Sequence, residues 1–300
     1  MVERKLVVIL GTTSSGKTDL AIKLARRFKG EVVSADSRQV YRGLNLGTGK
    51  VTKKEMRGVP HHLLDVASPR QRFDVVRYRS LAHKAIHQIQ DKDKLPILCG
   101  GTGFYIQAVI DNPSLPQVKP DWRLRQKLTR KSLSELARLL KKLDPRRAKQ
   151  IDLRNPRRVI RALEILLKSK TPVPPLRKKP LPYPVLIIGL RVEAKTLNKK
   201  IRERLRQRLS KGLVAEVYRL RQNGLSWSKL ESFGLEYRWV SRYLQEQITK
   251  TALVAGLAKA IEDYAQRQMV WFKRDKRIVW LPQQGLLPKA TALVKKFLSP

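Results

Sequence analysis

Residues Gly11–Thr18 read GTTSSGKT, set between an apolar run, Leu6–Leu10, and a helix-like run, Asp19–Phe28. The pattern is G-x-x-x-x-G-K-[ST] in a strand–loop–helix setting, the arrangement in which a glycine-rich loop wraps a phosphate group. Its glycines let backbone N–H groups close on phosphate oxygens. Lys17 adds a point charge, and the following helix offers its positive N-terminal end. The whole loop, Gly11, Thr12, Thr13, Ser14, Ser15, Gly16, Lys17 and Thr18, is therefore the candidate cradle for a phosphorylated ligand. A plain Gly/Ser-rich surface loop is the competing reading, and the flanking strand and helix patterns argue against it.

Alternation of strand and helix continues to about residue 115. Glu31–Val33 and Leu95–Cys99 are short apolar runs, and Thr18–Phe28 and Phe73–Gln90 carry helical periodicity, which implies a parallel sheet covered by helices. A proline-spaced stretch at 112–120 breaks the pattern. Residues 121–170 then place Leu124, Leu128, Leu133, Leu136, Leu139, Leu140 and Leu143 on recurring helical faces. A second break, 171–184, holds six prolines in fourteen residues, after which Val185–Leu190 reads as a strand and the sheet resumes. The expected fold class is α/β, a P-loop parallel-sheet core (1–116 and 184–300) with an inserted helical domain (117–183). Long helices are expected at 195–222 and 249–272, and Arg277–Leu281 as a last edge strand.

Charge narrows the partners. Lys and Arg number 65 against 24 Asp and Glu, a net +41. Residues 119–183 alone carry 21 basic and 5 acidic residues, or +16. A surface of that sign repels itself unless a polyanion is near, and on foldable, patterned segments it points to nucleic acid. An apolar share of 42% fits a globular chain, and no apolar stretch reaches the roughly 20 residues that span a bilayer. The N-terminus reads as a first strand rather than a signal peptide. The single cysteine, Cys99, excludes an internal disulfide framework and fits a reducing compartment, so the expected location is cytoplasmic. Nothing resembles a dimer seam, and a monomer is expected.

Three strand ends carry the candidate chemistry. In a parallel sheet the C-terminal strand ends face the ligand crevice. Asp36, in VVSADSRQVYRG, ends the second strand beside the phosphate loop; its carboxylate could accept a proton or cap a turn with Ser37. ILCGGTGFYIQAVI, residues 97–110, puts Gly100, Gly101 and Gly103 at another strand end and offers the Thr102 hydroxyl there. That strand ends in Cys-Gly-Gly, where nucleotide hydrolases usually carry a metal-holding Asp, and this weakens a hydrolase reading. His61 and His62 are chain neighbours that point different ways, and His83 and His87 have no further ligands nearby, so neither pair reads as a metal site.

Taken with the phosphate loop, VVSADSRQVYRGLNLGTGK, GVPHHLLDVASP and GGTGFYIQAVI resemble the ordered blocks of the tRNA dimethylallyltransferases, the isopentenyltransferases of bacterial type. The similarity continues through NPRRVIRALEI (155–165), GLVAEV (212–217), FGLEYR (233–238) and YAQRQMVWFKRD (264–275) and spans nearly the whole chain. The resemblance implies transfer of a dimethylallyl group from dimethylallyl diphosphate to N6 of adenine-37, beside the tRNA anticodon. The loop would then hold a diphosphate leaving group, with Mg²⁺ at Thr18. Lys17, Thr13 and Arg204 would stabilise the departing oxygens, and Asp36 would act as general base. Ser37, Arg38 and Gln39 would meet the flipped base or its neighbours, and Thr102 the channel where base and allyl group join. Arg157, Arg158, Val159, Ile160 and Arg161 on the insertion, with Arg267, Gln268, Lys273 and Arg274, would bind the tRNA; Trp271 and Phe272 could stack on bases or pack in the core. The chain departs from the family in having Thr12 where proline is common, Lys200 where arginine is usual, and YAQRQ for YAKRQ.

Three other readings use the same features. A P-loop kinase of a small metabolite would take ATP in the cradle but has little need of +41. An adenylate isopentenyltransferase acting on free nucleotide would share the donor but not need a basic insertion. A nucleic-acid-binding protein without catalysis would leave the phosphate loop and Asp36 unexplained.

Overall fold

A computed structural model of the chain describes residues 4–114, 116, 118–174, 178–179 and 181–299. The expected boundary at residue 117, and the prolines at 175 and 180, lie outside the described residues. Among the described residues, six strands form one parallel sheet: β1 (Leu6–Gly11), β2 (Gly30–Ser34), β3 (His61–His62), β4 (Leu95–Gly100), β5 (Val185–Arg191) and β6 (Val279–Pro282), in the order β3-β2-β4-β1-β5-β6. The central strands read as unbroken apolar runs because helices cover both faces. Along β1, Leu6, Val8 and Leu10 enter one core cluster and Val7 and Ile9 the other. The second cluster lies under the helices Lys17–Arg27 and Leu286–Leu298, and the first, larger one under the remaining core helices.

Three differences from the sequence reading are local. The single helix expected over 195–222 is two, Ala194–Ser210 and Leu213–Gln222, because Gly212 between them takes φ 96°, which no continuing right-handed helix allows. His61–His62 forms a two-residue edge strand that apolar patterning could not reveal; His62 Nε2 meets the buried carboxylate of Glu31 at 2.7 Å, as does Lys94 Nζ. The edge strand β6 spans Val279–Pro282 where 277–281 was expected.

The chain divides into two compact units, Met1–Asn112 with Pro180–Pro300, and Pro113–Lys179. Among the described residues the smaller unit holds four helices, Trp122–Thr129, Leu133–Leu143, Pro145–Gln150 and Pro156–Ser169. Their starts are written in the sequence: Asp121, Ser132, Asp144 and Asn155 each accept a backbone N–H as N-caps, and Pro145 and Pro156 stand where a missing N–H costs nothing. Leu128, Leu136, Leu140, Val159 and Leu163 form its own core. No helix among the described residues is long and apolar enough to cross a membrane.

Candidate active site

The phosphate loop leaves the end of β1 and turns into the helix Lys17–Arg27. Two of its residues lie in the left-handed region, Ser14 at φ 58° and Gly16 at φ 89°, which turns successive N–H groups inward. Gly11 has no room for a side chain: a Cβ there would stand 2.7 Å from Ser15 Oγ. Thr12 and Ser15 are buried, and Lys17 Nζ folds back to donate to the Thr12 carbonyl at 3.1 Å. A cavity of about 480 Å³ opens at this loop, lined by Ser14, Gly16, Lys17, Thr18, Gly49 and Arg204 among others. That volume falls in the range of small-ligand sites. Burial, reinforced by Arg204 and Arg208, pulls the Lys17 ammonium below its ordinary value. The same burial and the neighbouring Arg208 bring Arg204 down to about 10, where it stays charged near neutrality. Partly buried cations held this way, with no carboxylate ion pair among the described residues, suit an incoming anion.

Asp36 follows β2, and its Oδ1 accepts the backbone N–H groups of Arg38 (2.8 Å) and Gln39 (3.3 Å). The turn-capping role open to it in the sequence is therefore real, and it leaves Oδ2 without a hydrogen bond among the described residues. Between this turn and the phosphate loop lies the Gly100–Gly103 turn at the end of β4, the strand that separates β2 from β1. A Cβ at Gly100 would stand 2.1 Å from the Ala35 carbonyl, at Gly101 2.5 Å from Gln268 Nε2, and at Gly103 2.3 Å from the Trp271 ring. These glycines let three segments close on one another. A run of hydrogen bonds joins them: Ser37 N–H donates to Thr102 Oγ1 (3.1 Å), Gln268 Nε2 donates to the Gly101 carbonyl (2.7 Å), and Thr13 N–H donates to Gln268 Oε1 (2.8 Å). The carboxylate and the cradle thus stand on one rigid scaffold. Thr13, Asp36 and Thr102 lie outside the cavity walls. Tyr264 is near enough that burial, then the charge of Asp36, raises its phenol above the usual range.

Arg204, on the helix Ala194–Ser210, donates through Nη2 to the Gly49 carbonyl at 3.4 Å. Gln39 Nε2 donates to the same carbonyl (3.3 Å) and to that of Thr48 (3.4 Å). The segment 44–50 that carries these carbonyls is itself pinned by Glu216. Its buried carboxylate accepts the N–H groups of Asn45, Leu46 and Gly47 (2.7–3.1 Å) and the Tyr237 hydroxyl (2.8 Å). Lys200 lines the cavity and donates to Gln283 Oε1 at 3.3 Å. Sequence reasoning singled out the GLVAEV and FGLEYR blocks without a role for them; Glu216 and Tyr237 are that role. Gln283, whose Nε2 donates to the Ser15 carbonyl at 3.4 Å, had no sequence signal at all.

The expected RNA-facing residues divide. Arg38 and Gln39 are partly exposed on the Asp36 turn, and Arg157, Arg158, Arg267, Lys273 and Arg274 are exposed. Val159 is not available to a ligand: it is fully buried in the core of the small unit, with Ile160 packed against it. Gln268 is likewise corrected, being 7% exposed and occupied as the brace between Gly101 and Thr13. Phe272 is buried, and Trp271 packs against the core over Gly103, so both serve packing. Arg161 donates to the buried carboxylate of Glu164 and to the Val118 carbonyl (2.9 Å); Arg125 grips Glu164 at 2.7–2.8 Å. Those two cations of the insertion hold its own fold together.

Comparison with known proteins adds an independent line. The family model described as IPP transferase matches residues 39–275. The tRNA dimethylallyltransferase 1 of Geotalea uraniireducens is 39% identical over 287 residues, covering 93% of each chain. The tRNA dimethylallyltransferase 2 of Trichlorobacter lovleyi is 41% identical over 287 residues, covering 93% of this chain and 92% of its own. Among solved structures, the full-length tRNA isopentenylpyrophosphate transferase of Bacillus halodurans superposes with a TM-score of 0.75 at 34% identity, covering 99% of this chain and 97% of its own. A eukaryotic dimethylallyltransferase acting on tRNA shares the fold, with a TM-score of 0.81 at 24% identity.

Proposed function

From the premise that the chain belongs to the IPP transferase family, we propose that it transfers a dimethylallyl group from dimethylallyl diphosphate to N6 of an adenine beside the anticodon of tRNA, and that its own residues divide the work as follows. The observation that supports this reading is the hydrogen-bonded run Ser37–Thr102, Gly101–Gln268–Thr13, which joins the Asp36 turn to the loop 11–18. The diphosphate lies in the loop, and the five-carbon chain points toward Asp36. As the C–O bond to diphosphate breaks, the electron pair leaves with oxygen, and the growing charge meets the loop N–H groups, Lys17, Thr13 and Arg204. Preorganised donors of this kind act where charge develops. The adenine amino group is a poor nucleophile because its lone pair is delocalised into the ring. Asp36 takes the N6 proton as the C–N bond forms, which is general-base work. To reach that carboxylate the base must leave the anticodon-loop stack.

The donor set fits a divalent cation of the Mg²⁺ type that arrives with the diphosphate. Among the described residues no group of three His, Cys, Asp or Glu side chains gathers that could cage a metal, while Thr18 lies in the first turn of the helix Lys17–Arg27 and lines the cavity. Mg²⁺ characteristically keeps several waters and takes few protein ligands beside substrate phosphates. Held by Thr18 and the diphosphate, it would neutralise charge on the leaving group. We place the reaction in the cytoplasm, where tRNA is, and one chain suffices for it, since cradle and base both come from that chain.

The test is direct. Incubated with labelled dimethylallyl diphosphate, Mg²⁺ and unmodified tRNA, the protein should place label on N6 of the adenine next to the anticodon, read by nucleoside mass spectrometry. Label on free AMP instead would favour the nucleotide-modifying reading, and ATP turnover without allyl transfer a kinase.

A further inference from the structure

Phe233 follows the helix Trp227–Ser232, and two cations gather over its ring. Lys229 Nζ stands 5.4 Å from the ring centroid and the Arg38 guanidinium carbon 5.9 Å. Their hydrogen bonds go to neutral acceptors: Lys229 Nζ to the Gln71 carbonyl (3.4 Å) and Arg38 Nη2 to the Ser232 carbonyl (3.5 Å). Neither has a carboxylate partner among the described residues. The acids on the adjoining segments are engaged elsewhere. Asp74 caps the helix Val75–Gln90 through the Arg77 N–H (2.9 Å), Glu231 pairs with Arg242 (3.4 Å), and Asp36 holds its own turn. Partial burial, with the like charges of Arg72 and Arg38, pulls the Lys229 ammonium below its ordinary value. Like charges gathered at one aromatic ring repel each other, and an anion relieves that repulsion.

Arg38 ties this cluster to the catalytic turn, because its backbone N–H donates to Asp36 Oδ1 at 2.8 Å. Whatever anion Lys229 and Arg38 hold is therefore registered against the proposed base. Phosphate contacts position a nucleic acid rather than read its sequence. A base swung out of its stack also needs the flanking backbone fixed, or the cost of extrusion is not recovered in alignment. Resting on the reading above, we propose that Lys229 and Arg38 form a phosphate seat on the catalytic unit for the RNA backbone adjoining the extruded adenine. The charge of the insertion would then not be the sole grip: this seat belongs to the same unit as the cradle and sets the register of the target nucleotide.

The experiment compares the full chain with its Lys229→Gln and Lys229→Arg variants for tRNA affinity across a salt series and for KM of tRNA in allyl transfer. Lys229→Gln should weaken tRNA binding about fivefold at low salt, the upper end for one exposed ion pair. It should also lower the slope of log K against log salt by roughly 0.7–0.9, the value of one phosphate contact. Lys229→Arg should restore both, because only the charge is asked of the residue. Wild-type affinity and slope in Lys229→Gln would sink the seat, and so would an arginine variant as weak as the glutamine one. A shift in KM for dimethylallyl diphosphate with tRNA affinity unmoved would assign the cluster to the donor and equally overturn it. Failure of the unaltered protein to modify tRNA would fall on the proposed function instead, so the two failures are distinct.

Discussion

Asp36 has two oxygens with different surroundings, and that difference decides what a substitution does. Oδ1 is occupied by the N–H groups of Arg38 and Gln39. In Asp36→Asn the amide oxygen can keep those bonds while the proton acceptor is gone. Allyl transfer should fall by about 10²–10⁴, the usual worth of a general base, with dimethylallyl diphosphate binding retained by calorimetry; loss of donor binding would move Asp36 to the phosphate side. Lys17 supplies a pH signature. Burial lowers its pKa below 10.5 in the folded, empty protein, so its charged form costs stability below that lowered value. The cost fades as pH rises through the lowered pKa toward the unfolded one. A bound diphosphate reverses the preference by favouring the ammonium. Donor binding should therefore take up protons at pH values above the lowered pKa, when calorimetry is repeated in buffers of different ionisation enthalpy. Proton release there would contradict the assignment of Lys17 to the diphosphate.

At the scale of elements, the segment 44–50 depends on one carboxylate. Glu216 satisfies three consecutive N–H groups and a hydroxyl from a 5% exposed position. Glu216→Gln turns an NH₂ group toward at least one of those donors and leaves it buried and unpaired, which costs about 1–3 kcal/mol. Chemical denaturation should show that loss. KM for the donor should rise with it, because the Gly49 carbonyl that accepts from Arg204 rides on this segment. A stability loss with KM unchanged would mean the segment does not position Arg204. The Gly100–Gly103 turn is an element of the opposite kind: it contributes by what it omits, since each missing side chain is the space another backbone or ring occupies.

At the scale of the whole molecule, +41 is the governing number. Not all of it faces a partner: Arg125 and Arg161 close on Glu164, and Arg208 on Glu236 at 2.8 Å. The exposed remainder includes Arg157 and Arg158 on one unit and Arg267, Lys273 and Arg274 on the other, which with the partly exposed Arg38 and Lys229 makes seven candidate phosphate contacts. With six or more phosphate contacts, tRNA affinity should fall by about 10³ or more between 50 and 200 mM salt. A flat response in filter binding over that range would remove nucleic acid from the account of the charge.

The phosphate loop, the alternating strands and the helical periodicity of the insertion were legible in the sequence because each is decided within a few residues. Glycines at fixed offsets set a backbone turn, an uninterrupted apolar run marks a strand covered on both faces, and leucines recurring at helical spacing mark a buried helix face. Asp36 could be placed at a strand end by the same local logic, though its two possible roles could not be separated. What lies far apart in the chain was not legible. That Gln268 spans Gly101 and Thr13, that Glu216 holds residues 45–47, and that Val159 turns inward depend on which surfaces meet after the chain packs. Composition and periodicity record how a residue behaves toward water and toward its near neighbours; a partner some 170 or 255 residues away is chosen only when burial forces a polar group to find one.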